Sequence, residues 1–191
     1  MKKIISAALL TLALGGAHAQ AYIGATFGAS NLNLDCAGAV ACDDKGSGYK
    51  VYGGYSFTKG FALEGGYLDF GKASGSAYAY ALGANRLVNL ELETTAFFLA
   101  AAVRGDFTPN FGGAARLGLA SVKTDVTGFV PSLNRGVKDS SSAGKAYFGL
   151  SLDYAFTKNL KGVVAADFTT TDIYEESAAV RMISIGAQYD F

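Results

Sequence analysis

The chain has 191 residues, half of them hydrophobic, with 16 Lys+Arg against 16 Asp+Glu, 25 Gly, 2 Pro, no Trp and one histidine. That is the length of a single domain. The balanced charge leaves no basic excess for a phosphate backbone, which excludes nucleic acid as a partner.

The first residues read "MKKIISAALLTLALGGAHAQA". Lys2 and Lys3 form a short positive segment, Ile4 to Leu14 an apolar run, and Ala17-His18-Ala19 a small-residue cleavage motif, the pattern of an export signal. Cleavage after Ala19 is the first choice and cleavage after Ala21 the alternative, because Ala19-Gln20-Ala21 has the same form. A membrane anchor is disfavoured, since a spanning helix needs roughly 20 apolar residues. The expected division is therefore a signal over 1–19 and one domain over 20–191. Losing Lys2 and Lys3 takes Lys+Arg from 16 to 14 against 16 Asp+Glu, a net charge of about −2. The only histidine, His18, leaves with the signal.

From residue 21 onward, alternation over about ten residues recurs between polar or glycine-containing breaks. "AYIGATFGAS" sets Ile23, Ala25 and Phe27 against Gly24, Thr26 and Gly28. "GYKVYGGYSF" sets Tyr49, Val51, Tyr55 and Phe57 against Lys50, Gly54 and Ser56, and "FALEGGYLDF" sets Phe61, Leu63 and Tyr67 against Glu64. "YFGLSLDYAF" alternates Phe148, Leu150, Leu152, Tyr154 and Phe156 with Gly149, Ser151, Asp153 and Ala155. The last stretch, "SIGAQYDF", keeps Ile185, Ala187, Tyr189 and Phe191 on one face to the end of the sequence.

About eight strands are predicted, near 21–31, 48–57, 61–70, 90–107, 111–123, 145–157, 160–171 and 178–191. The fourth is apolar on both faces ("TTAFFLAAAV"), so a helix competes there. Thr94, Thr95, Phe97 and Phe98 favour a strand, and "RGDFTPNF" after it needs a hairpin. "FTKGF", "FTPNF" and "FTKNL" read as short hairpin turns. Longer polar loops are expected over 32–48, 71–90, 123–145 and 171–178. Short turns and long loops alternate, as in an up-and-down meander with all short turns at one end.

The fold class that follows is all-β: an eight-stranded antiparallel up-and-down transmembrane β-barrel. A soluble barrel is apolar inside; a membrane barrel is apolar outside, with a polar interior and aromatic girdles. Glu64, Arg104, Arg116, Asp153 and Asp167 lie mid-strand, mostly opposite the bulky residues and among Gly, Ala and Ser. A narrow polar lumen with the bulky face against lipid accommodates that arrangement. Closure also leaves no unpaired strand edge in hydrocarbon.

The block "GYKVYGGYSFTKGFALEGGYLDFG" (Gly48–Gly71), the repeated Phe-Thr turns and the terminal "YDF" resemble the OmpA-like transmembrane domain family, across essentially the whole mature chain. The resemblance implies Sec export to the outer membrane of a Gram-negative bacterium, contact with outer-membrane lipid and lipopolysaccharide, and a monomer. It also implies an assembly signal at Tyr189 and Phe191, read by the barrel-assembly machinery. Larger members of the family continue into a peptidoglycan-binding domain. The sequence stops at Phe191, so cell-wall tethering is not carried over.

Glu64, Arg104, Arg116 and Asp153 form the candidate lumen cluster, a static polar plug or, alternatively, a gate, with Asp167 and Lys161 as weaker members. Charges so far from water should pair. Cys36 and Cys42, in "DCAGAVACDD", have the spacing of a small disulfide ring in an oxidising compartment. Asp35, Asp43 and Asp44 beside them read as a solvated acidic loop rather than a calcium site. No metal site and no cofactor are expected. The long loops are candidates for a surface ligand. Some small barrels of this kind modify lipid A with a serine and a histidine base; without a histidine that base is missing, and no enzymatic activity is expected. Three functions remain: a structural, envelope-integrity protein first, then a narrow gated pore for ions or small solutes, then a surface adhesin acting through its loops.

Overall fold

A computed structural model describes residues 20–33, 40–81, 84–173 and 176–191. Nine strands follow one another: β1 (Gln20–Leu32), β2 (Ala41–Asp43), β3 (Lys45–Ser56), β4 (Phe61–Ala81), β5 (Ala84–Asp106), β6 (Phe111–Val130), β7 (Arg135–Ala155), β8 (Leu160–Ile173) and β9 (Glu176–Asp190). All but the three-residue β2 form one antiparallel ring, each pairing its neighbours in the chain, with β1 pairing β9 to close it. The expected eight-stranded barrel is the observed one, and the segment near 90–107 is strand.

The three tight turns share one device. In each, the Thr hydroxyl accepts the backbone N–H three residues on: Thr58 from Phe61 (3.1 Å), Thr108 from Phe111 (3.0 Å) and Thr157 from Leu160 (3.0 Å). The turn donors that the ladder cannot satisfy are thus held locally. All three turns lie at one end of the barrel, together with Gln20 and Phe191; Phe191 N–H donates to the Ala21 carbonyl (2.9 Å). That end is the turn end, and the other the loop end.

Burial alternates along the barrel portion of each long strand, with the bulky apolar face outside. Ile23, Phe27, Phe97, Leu119 and Ile185 are exposed, while Lys50, Glu64, Arg116 and Asp167 are buried. This inverts a soluble protein and matches a barrel whose outer face meets hydrocarbon. On β7 the outward apolar series runs from Phe148 to Tyr154 and continues into Phe156 at the start of the turn, and matching series run along the other seven long strands. Aromatic pairs mark its two edges: Tyr55–Phe57, Tyr154–Phe156 and Tyr189–Phe191 at the turn end, and Tyr67–Phe97 and Phe148–Phe168 toward the loop end.

Three expectations need correcting. The stretches 71–90 and 123–145, expected as loops, are mostly strand, and so are the described residues of 171–178, where β8 pairs β9 from Thr171–Ala178 to Ile173–Glu176. β4 with β5, and β6 with β7, continue as long hairpins, the second closing through a 3-10 turn at Pro131–Leu133. Past the buried Ala73 and Leu92 most of their length meets water on both faces; Gly, Ser and charged residues are frequent, and the exposed Tyr78, Leu87, Phe129 and Val137 keep no sustained period, so no apolar alternation marks a strand. β4 crosses from barrel to hairpin at an irregularity between Asp69 and Lys72. Gly71 sits there at φ 72°, and a Cβ on it would lie 2.2 Å from the Ser47 carbonyl oxygen. Within the expected loop 32–48, β2 adds to the edge of β4, pairing Ala41 with Ser76 and Asp43 with Ser74.

The third concerns the interior, which is not polar throughout. Toward the loop end it is filled by Leu32, Leu68, Phe70, Val122, Val180 and Met182, all buried. Beside this apolar layer the Thr124 hydroxyl bonds those of Thr94 (3.3 Å) and Thr171 (2.6 Å).

Candidate functional site

Six strands each aim one polar side chain at the middle of the lumen: Tyr22 from β1, Lys50 from β3, Glu64 from β4, Arg116 from β6, Tyr147 from β7 and Asp167 from β8. All are buried. Arg116 Nε lies 2.5 Å from Glu64 Oε1, and Tyr22 donates its hydroxyl hydrogen to Glu64 Oε2 (3.0 Å). Arg116 also donates to the Ser151 hydroxyl (2.9 Å). Lys50 Nζ donates to Asp167 Oδ1 (2.8 Å) and to the Tyr147 hydroxyl (3.0 Å), and Tyr147 donates in turn to Asp167. Lys50 Nζ is 3.9 Å from Glu64, which joins the two pairs into one neutral network of two cations and two carboxylates.

Aromatic rings enclose it. Lys50 lies 4.9 Å from the Tyr52 ring centroid and 5.0 Å from that of Phe98, at cation–π distance. Phe98 stacks on Tyr147 at 4.4 Å. Inner glycines leave the room: a Cβ on Gly54 would lie 2.2 Å from the Tyr22 ring, and one on Gly24 2.3 Å from that of Tyr52. A charge taken out of water is tolerated where partners and hydrogen bonds surround it, and only Asp167 Oδ2 in this network lacks a protein partner.

Of the four residues singled out in the sequence, Glu64 and Arg116 come together here. Arg104 and Asp153 lie nearer the turn end. The Arg104 guanidinium sits 4.3 Å over the Tyr22 ring, with no carboxylate within 4.0 Å among the described residues. Asp153 is 3.8 Å from Lys161, which is 2.8 Å from Asp190. These residues, with Asp106 and Lys59, line a turn-end mouth of about 260 Å³. Asp167, a weaker candidate, is central, and Lys50, Tyr22 and Tyr147 were missed. Lys50 stood in the sequence on the same inner row of "GYKVYGG" as Gly48 and Gly54, opposite Tyr49 and Val51, which was the available signal.

Tyr189 and Phe191 both face outward at the turn end, their ring centroids 5.2 Å apart. Cys42 is in β2; Cys36 lies outside the described residues, as does the expected signal over 1–19. Among the described residues no group of three His, Cys, Asp or Glu is placed to hold a metal ion.

The comparisons with known proteins agree with this architecture. The family model for the outer membrane protein beta-barrel domain matches residues 4–191. Ail, the attachment invasion locus protein of Yersinia pestis, solved with the heparin analogue sucrose octasulfate, superposes with a TM-score of 0.59 at 13% identity, covering 91% of this chain and 99% of that one. Neisserial surface protein A superposes at 0.59 with 12% identity (90% and 97% covered). OprG from Pseudomonas aeruginosa superposes at 0.56 with 14% identity (93% and 98% covered). At such identities the likeness is one of fold. No curated protein matches. The lipid-facing apolar belt, the closed ring and the match over nearly the whole chain lead to one assignment: the chain belongs to the outer membrane protein beta-barrel domain family and is an integral outer-membrane β-barrel protein of Gram-negative type.

Proposed function

We propose that this barrel serves the outer membrane as a sealed structural element rather than as a pore. The observation that supports it most is the Lys50–Glu64–Arg116–Asp167 network, in which every charge is buried and matched across the lumen. The apolar layer of Leu68, Phe70 and Met182 lies above it, and a hydrophobic constriction resists wetting. An ion would have to displace both. Non-enzymatic action, export through the Sec pathway and assembly through Tyr189 and Phe191 belong to the same reading. So does a Cys36–Cys42 disulfide clipping the segment that carries β2.

The test is planar-bilayer conductance of refolded mature protein, its folding confirmed by heat-shifted gel mobility, beside detergent sensitivity of a deletion strain. Silent bilayers and a detergent-sensitive strain rescued by the gene are expected. Discrete wild-type openings, altered by Glu64→Ala, would instead assign a gated pore.

A second reading, recognition at the cell surface, is favoured by one observation. Backbone pairing of β7 with β8 ends at Phe148–Phe168, so residues 135–147 pair only with β6 among the described residues. An unpaired edge standing in water can add a strand from another chain. If surface recognition is the role, removing 126–139 abolishes binding to the partner surface while detergent resistance persists.

A further inference from the structure

The outer face of the loop-end hairpins carries a group of side chains that the lumen does not use. The ladder of β2, β4, β5 and β6 sets Asp43, Ser74, Glu91 and Thr127 in one cross-strand row. The adjoining row holds Ser76, Asn89 and Phe129. These residues share the strand face of Phe97 and Leu119, so they point away from the barrel axis. They line a concavity of about 550 Å³.

Glu91 lies six residues beyond Phe97 on β5. At about 3.3 Å per residue and a tilt near 40°, that is about 15 Å above the apolar belt, outside the hydrocarbon. The concavity opens sideways over the membrane surface.

Its chemistry is mixed in a particular way. Glu91 Oε1 is held by Lys72 (2.6 Å) and Asp43 Oδ1 by the Lys45 N–H (3.1 Å), which leaves one oxygen of each carboxylate to accept. Ser76 donates to the Asn89 side-chain carbonyl (2.9 Å), which leaves the Asn89 amide hydrogens to donate. Phe129 offers an exposed aromatic face in the next row. Alternating acceptors and donors around an aromatic surface match a sugar ring, whose rim both donates and accepts and whose C–H face is apolar. Two carboxylates disfavour a bare phosphate. Four strands spaced about 4.8 Å apart span roughly 14 Å, room for two or three rings.

We infer that this concavity is a carbohydrate-binding site for the hydroxyl-rich core sugars of the surrounding lipopolysaccharide. The height above the belt and the sideways opening choose that source over a glycan presented from another cell. The site rests on the outer-membrane placement and is independent of whether the lumen conducts.

The test uses the refolded mature chain in phospholipid nanodiscs, observed by amide NMR. The titrant is the core oligosaccharide released by mild acid from rough lipopolysaccharide, and maltotriose is the control. Shifts concentrated at residues 74–76, 89–91 and 127–129 are expected. Asn89→Ala and Glu91→Gln should each weaken binding at least five-fold while heat-shifted gel mobility is unchanged. Both residues are exposed, so folding is not at issue. The assignment is overturned if these amides do not respond, if both variants titrate like wild type, or if maltotriose binds as well as the core oligosaccharide.

Discussion

Lys50 reaches Asp167 and Tyr147 across the lumen from a strand on the other side of the ring, so its charge holds together parts of the chain more than 90 residues apart. Removing one partner of such a pair leaves the other charge buried without compensation, at a cost of about 3–5 kcal/mol. Lys50→Met should therefore lower the urea midpoint of the refolded protein sharply, followed by the loss of heat-shifted mobility. Lys50→Met with Asp167→Asn should recover much of that loss, because the orphaned charge goes with it. If the double variant is no more stable than the single one, the pair does not act as a unit. Space is as specific as charge here. Gly54→Ala puts a methyl group into the Tyr22 ring, at 2.2 Å, and should break the Tyr22–Glu64 bond. Overpacking of that kind costs about 1–3 kcal/mol, read in the same unfolding assay.

The strands divide into a lower portion that meets lipid and an upper portion that meets water, and β4 shows the junction most clearly. Gly71 adopts a left-handed conformation that costs other residues about 1–2 kcal/mol, and its missing Cβ lets the Ser47 carbonyl approach. Gly71→Ala should disturb the hairpin of β4 and β5 before the barrel, seen as faster amide exchange over 72–81 with 62–69 still protected. The hairpin of β6 and β7 makes the complementary case. Replacing residues 126–139 by a two-residue turn joins Asp125 to Ser140, which already face each other, and should leave the heat-shifted mobility intact. The same division explains what could be read in advance. Phe148 to Phe156 announced a strand because one face meets lipid and the other the lumen. "KDSSSAGK" announced nothing, because a ribbon wetted on both sides needs no apolar period. Leu68 and Phe70 stood on the inner row beside Glu64, yet one charge in that row suggested that the whole interior was polar. Which lumen charges meet was not legible either, since pairing across the ring depends on register and on side-chain reach. Glu64 and Arg116 meet; Arg104 and Asp153 do not join them.

At the scale of the whole molecule, a side-chain-filled lumen, a wet ribbon and a lipid-facing belt lie at different heights. The ring holds the chain in the membrane without a free edge in hydrocarbon. The ribbon stands above it, and its interactions can change without disturbing the network below. Lumen substitutions should therefore alter stability and conductance, and ribbon substitutions should alter what the surface binds; the two sets should add independently in a double variant.

The belt also carries a measure of length. The eight residue steps from Phe148 to Phe156, at about 3.3 Å each and tilted near 40°, give a hydrophobic height of about 20 Å. A typical bilayer core is about 30 Å thick, and the bacterial outer membrane is thinner than average. This protein is dimensioned for the thin membrane. In the thicker inner bilayer its polar ribbon base and turn end would be drawn into acyl chains, or the bilayer would have to pinch around it. Spontaneous insertion into vesicles should accordingly speed up as the lipid chains shorten from eighteen to twelve carbons, and equal rates in both would mean that the aromatic edges do not set its depth. The mismatch then works as a sorting device: the bilayer the protein must cross on its way out is the one it fits least.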